Sequence, residues 1–209
     1  MNRLTKLAAF AVVALMLGTT AAKADSFQVS INTGSMSLSD VNLVLQLIDG
    51  DGVANNSATI SAFDFHGGNA NGAGDCSFGG SGCSGDLYSA VNLTDADFAG
   101  IFFQNFTPGS TLSFHVNVSN NWTGSGSPDA FSISLYDDAF NFISDDSNTG
   151  ALVVVSMNGS QLSPADFVIN GGSSQNVSSP AVTAVPEPGS LILLGTGLAG
   201  IIRRKMARA

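Results

Sequence analysis

In the stretch IDGDGVANN, Asp49, Asp51 and Asn55 set three oxygen donors along one short, glycine-spaced segment. Alternating oxygen ligands in a turn can converge on one Ca2+, which accepts about six to eight of them at irregular angles. An EF-hand loop would also need a Glu at its twelfth position, and Glu187 is the sole Glu of the chain. The pattern therefore has two readings, a plain hairpin turn or a Ca2+ site of another type. The segment YDDAFNFISDDSN offers a second acidic set, Asp137, Asp138, Asp145 and Asp146, with the same two readings. Ca2+ is the one cofactor these residue types suggest.

The two cysteines, Cys76 and Cys83, lie in GDCSFGGSGCSGD, where the glycine-rich interval can bend back on itself. Two thiols without a nearby His make a poor metal site, so a disulfide closing a small loop is expected if the chain meets an oxidising compartment. The single Trp, Trp122, falls in SNNWTGSGSPD between two strand patterns. It either covers the end of the fold or stacks on a sugar ring. Catalytic chemistry has little support. His66 precedes two glycines in a turn, and His115 sits on the polar face of a strand. There is no G-x-S-x-G elbow and no H-E-x-x-H, and no pair of Asp residues is singled out for glycoside hydrolysis. No catalytic residue is assigned, and the chain is read as a non-enzyme.

Charge narrows the partners. Residues 25–202 contain no Lys or Arg, while all 16 acidic residues, fifteen Asp and Glu187, lie in that stretch. A body without cations cannot neutralise phosphates, which argues against nucleic acid and nucleotide ligands. Its acids must be solvated, hydrogen-bonded or bound to cations.

The elements that position these residues are short strands. TLSFHVNVS alternates Leu112, Phe114, Val116 and Val118 with Ser113, His115, Asn117 and Ser119, the period-two pattern of a half-buried strand. AFSISLYD repeats it. Further candidates are SFQVSIN, VNLVLQLI, SATISAFDF, LYSAVNL, GIFFQNF, ALVVVSM and DFVIN. About nine strands separated by Gly/Asn/Ser/Asp turns predict an all-β fold: a single antiparallel β-sandwich, jelly-roll-like, over residues 25–169. Residues 170–183, NGGSSQNVSSPAVT, are polar and Gly/Ser-rich and read as a flexible linker.

The two ends carry a different logic. Residues 1–24 open with Arg3 and Lys6, continue through an apolar run at 7–17, and close with Ala22-Lys23-Ala24. This is the layout of a secretory signal peptide, cleaved between Ala24 and Asp25. The run is shorter than the roughly 20 residues a membrane span needs. At the other end, Pro186 and Pro188 prevent a helix from extending upstream, and residues 191–202 form a short apolar run before Arg203, Arg204, Lys205 and Arg208. A helix of that length rises about 18 Å, against a hydrocarbon core of about 30 Å. It is a marginal transmembrane span, with the basic cluster held on the cytoplasmic side.

Val185-Pro186-Glu187-Pro188, the short Gly-containing apolar run and the basic cluster together resemble the PEP-CTERM sorting signal, here over residues 184–209. The body, with its opening F-x-V-x-I-x-T strand and central FFQNFTPGSTLSF, also resembles β-rich ectodomains found in such proteins, which bring no activity with them. The resemblance implies recognition and tail removal by exosortase, a membrane transpeptidase of Gram-negative bacteria that make exopolysaccharide. The expected partners are thus the Sec translocon and signal peptidase, exosortase, the inner membrane transiently, and exopolysaccharide. The expected product is a surface or extracellular-matrix protein, structural or adhesive in an exopolysaccharide or biofilm layer. The alternatives are a carbohydrate-binding module acting through loop aromatics such as Trp122 and, behind it, a secreted hydrolase.

Overall fold

The computed structural model describes residues 24–146, 149–172 and 177–185. Twelve strands occur among them: β1 (Ala24–Asn32), β2 (Val41–Ile48), β3 (Ser57–Asp64), β4 (Asn69–Ala70), β5 (Cys83–Gly85), β6 (Ala90–Thr94), β7 (Ala99–Thr107), β8 (Thr111–Ser119), β9 (Asp129–Tyr136), β10 (Ala151–Met157), β11 (Phe167–Ile169) and β12 (Ala181–Ala184). The one helical element described is a 3-10 turn, Pro164–Asp166. It is far too short to cross a membrane; residues 1–23 of the expected signal peptide and the whole expected transmembrane helix fall outside the described residues, and Ala24, the last residue of the expected signal peptide, opens β1.

The strands form two antiparallel sheets, ordered β12-β1-β8-β3-β6-β5 and β11-β10-β9-β2-β7-β4. Neither closes into a barrel. Each holds six strands, so the whole is larger than an eight-stranded jelly roll. The period-two patterns produce the layers. In β8, Leu112, Phe114, Val116 and Val118 are fully or almost fully buried, and they stand opposite Ile31, Val29, Phe27 and Asp25 of β1. In β2, Val41, Leu43, Leu45 and Leu47 line the inner face of the second sheet, with Phe106 and Phe102 of β7 beside them. The faces meet through rings such as Phe27 and Phe131, 6.4 Å apart edge to face, and Phe65 and Phe106, 5.7 Å apart. Gln104 is the polar exception on the inner face of β7. Its amide accepts from Leu87 N at 2.8 Å and donates to Gly72 O at 3.0 Å, which fastens the long insertion between β4 and β6.

The stretch at 170–183 departs from the linker expectation. Gly172 and Val177 pair in an isolated bridge, Val177 is buried, and β12 adds a strand to the edge of β1. The folded unit therefore runs on to Val185. An edge strand needs only one free row of backbone donors and acceptors, and AVTA supplies that without a visible apolar run.

Candidate metal cluster and sorting end

The β2–β3 loop carries Asp49, Asp51, Asn55 and Asn56, and β9 begins with Asp129. The fold brings them together at one end of the sandwich. Single carboxylate oxygens of Asp49, Asp51 and Asp129 lie within 4.8 Å of one another, and this is the group of three or more acidic, His or Cys ligands that occurs among the described residues. Asp129 is only 1% exposed. Its Oδ1 accepts from Gly50 N at 2.8 Å and Asp51 N at 3.3 Å, and its Oδ2 from Asn56 Nδ2 at 2.5 Å. A second buried carboxylate, Asp95, follows β6 and accepts from Asn56 N at 2.8 Å and Asn55 N at 3.2 Å. Burial, joined by the Asp129 carboxylate beside it, raises the Asp95 pKa above the ordinary range despite those two backbone donors.

The loop that holds Trp122 closes over the same end. Thr123 donates from its backbone N and its hydroxyl to Asp51 Oδ2, at 3.1 and 3.0 Å, and these bonds hold the Asp51 carboxyl below its ordinary pKa. Gly52 N caps Asp49 Oδ1 at 2.6 Å. Asn121 and Asn56 exchange two further bonds at 2.8 Å each. In the β2–β3 loop Asn55 Oδ1 is a buried acceptor with no donor, the sole such side-chain atom among the described residues. The three clustered carboxylates form a donor set that suits a hard cation, and no Lys or Arg stands in the described body to serve instead.

Asp137, Asp138, Asp145 and Asp146 are not gathered in the same way. Asp137 Oδ1 accepts from Asn141 N and Ala139 N, at 2.8 and 2.9 Å, in a turn after β9, and the Asn141 contacts hold its pKa low. Asp145 N donates to Gly171 O at 2.7 Å, and Asp146 takes the Thr149 hydroxyl. Trp122 is 39% exposed. Gly159 lies beside it, where an added Cβ would make an ordinary contact, 3.4 Å from the Trp122 Cβ.

Cys76 and Cys83 form a disulfide with Cα atoms 5.4 Å apart. It does more than close a loop. Cys83 opens β5 in the first sheet, while Asp75, next to Cys76, bridges Phe103 of β7 in the second. The bond thus staples the two sheets at one edge. The glycines between permit this contact: a Cβ at Gly79 would meet Ile101 N at 2.4 Å, and one at Gly82 would meet Thr94 O at 2.5 Å.

The outer face of the second sheet carries an aromatic row that strand patterning alone did not reveal. Phe78 packs on Phe103 at 4.9 Å, Phe103 on Tyr136 at 6.3 Å, and Tyr136 on Phe142 at 4.8 Å. Phe78 is 64% exposed and Phe142 44%.

At the sorting end, β1 starts at Ala24, whose partner is Ser119, and the side chain of Asp25 accepts from Asn120 Nδ2 at 3.0 Å. Val185 donates its N to Ser26 O at 2.8 Å and is the last described residue. Ala22, Pro186, Glu187, Pro188, Arg203, Arg204, Lys205 and Arg208 lie outside the described residues. Residues 184–206 match the family model of the PEP-CTERM protein-sorting motif. The PEP-CTERM motif implies an exported protein whose C-terminal sorting signal is membrane-anchored and processed by exosortase. No curated protein and no solved structure matches the chain.

Proposed function

We propose that the chain is a non-catalytic surface protein, delivered by exosortase and structural or adhesive in an extracellular polysaccharide layer. The PEP-CTERM match at residues 184–206 carries this reading. The ectodomain suits such a role: its buried carboxylates Asp95 and Asp129 are held by backbone and side-chain amides, and its two histidines serve a turn and an exposed strand face. In this reading the Asp49/Asp51/Asp129 cluster holds Ca2+ and ties the β2–β3 and β8–β9 loops to the start of β9. The test is sedimentation of the purified ectodomain with the host's exopolysaccharide. Co-sedimentation supports adhesion, and a wholly free ectodomain in Ca2+-containing buffer argues against it.

The Phe78–Phe103–Tyr136–Phe142 row favours a second reading, a carbohydrate-binding module. Exposed rings stack on the apolar faces of neutral sugars, and a body without cations would not favour polyanions. Here Tyr136→Ala should abolish glycan binding while Trp122→Ala reports on the loop site. Binding that survives both substitutions contradicts this reading.

A further inference from the structure

The last strand and the sorting signal share residues. The matched motif begins at Ala184, which is also the end of β12 and pairs with Phe27. The next residue, Val185, is bonded through its N to Ser26 O at 2.8 Å. The neighbouring β1 runs the other way and begins at Ala24, the residue before the expected signal-peptidase bond. Both ends of the described chain therefore leave the first sheet at the same corner.

We propose that β12 is a detachable strap, and that the motif reaches its transpeptidase only after β12 peels from β1. The proposal rests on the sorting reading above. A transpeptidase takes its substrate as an extended peptide with free backbone groups, as strand-addition recognition does. Here the backbone at the start of the motif is already committed to β1. Docked, the strap leaves residues 186–190 between the sheet and the apolar run that begins at Leu191, a reach of at most about 18 Å. Released from Ser178 onward, the tether is residues 178–190 and reaches about 45 Å, which separates the domain from the membrane surface.

The strap is built to open alone. β12 is an edge strand of four residues, of which Val182 alone is half-buried and packed against the core. Its departure leaves β1 paired with β8 through nine positions, so the domain stays folded. Short edge pairings of this kind open at far lower cost than the whole domain.

Gln28 and Thr183 are register partners with exposed side chains. Facing residues of an antiparallel pair lie about 5.5 Å apart or less, within disulfide range. The experiment expresses the full chain as Gln28→Cys/Thr183→Cys in an exosortase-containing host and follows tail loss by intact mass. The oxidised double variant should be processed at least tenfold more slowly than wild type, while each single variant matches wild type. Val182→Ser, which weakens the strap without a cross-link, should be processed at least as fast as wild type. An oxidised double variant processed at the wild-type rate, or a slower Val182→Ser, overturns the strap alone. A wild-type chain that keeps its tail overturns the sorting reading and the strap with it.

Discussion

Ca2+ should stabilise the ectodomain beyond any general effect of salt. The perturbation is addition of Ca2+ to residues 25–185, a fragment that keeps β12. Three carboxylates within 4.8 Å, one of them buried and 78 residues from its nearer partner, form a donor set specific to the native fold, so the unfolded chain does not compete. At 100 times the dissociation constant, occupancy adds about 2.7 kcal/mol of stability. For a domain of this size that raises Tm by about 5–10 °C. Asp49→Asn is the clean probe, because the one described bond of its carboxylate, from Gly52 N to Oδ1, can be kept by an amide oxygen. Loss of one charged ligand that weakens binding tenfold would cut the increment to about 1.4 kcal/mol at the same Ca2+ concentration. Differential scanning calorimetry in Ca2+, Mg2+ and ionic-strength-matched NaCl reads the effect. Mg2+ demands octahedral order and should do less than Ca2+ at this irregular cluster. Identical melts in all three salts would refute the reasoning and leave a merely solvated acidic end.

Asp95→Asn should raise stability in EDTA at neutral pH, because an amide keeps the oxygen that accepts from Asn55 and Asn56 and ends the repulsion from Asp129. The same carboxyl sets a pH trend. With its pKa raised in the fold, the native state holds a proton that the unfolded chain releases, so stability falls as pH rises from about 3.8 through the folded pKa. Measured in EDTA against Asp95→Asn, the wild type should therefore gain relative stability from neutral pH toward pH 4, while carboxyls held low, such as Asp51 and Asp137, pull both proteins the other way; a difference that does not change with pH would exclude the Asp95 carboxyl. Replacing Cys76 and Cys83 with Ser should lower stability by on the order of 2 kcal/mol. Amide exchange should then quicken first at the Asp75–Phe103 bridge, and uniform exchange would contradict the role of the bond as a staple between sheets.

The sequence patterns already contained nine of the strands, because alternation of Leu112, Phe114, Val116 and Val118 with polar residues has one simple explanation. β4, β5 and β12 were not legible. They have two to four residues and are held by backbone pairing at sheet edges, which leaves little trace in side-chain type. Asp49, Asp51 and Asn55 stood out through local spacing. Asp129 did not, since it is 78 residues from Asp51 and reaches it through the register of β9 on β2. Nor did the burial of Asp95, which depends on the amides of the β2–β3 loop. The aromatic row was hidden for the same reason: Phe103 and Tyr136 lie on the outer face of strands separated by β2, and Phe78 arrives on a disulfide-stapled loop.

Intact mass of the mature protein from an exosortase-containing host tests the central claim most directly. Delivery by the sorting signal predicts a chain that begins at Asp25 and lacks everything after the Pro186-Glu187-Pro188 region. A mature surface protein that retains its sequence through Ala209 would contradict it.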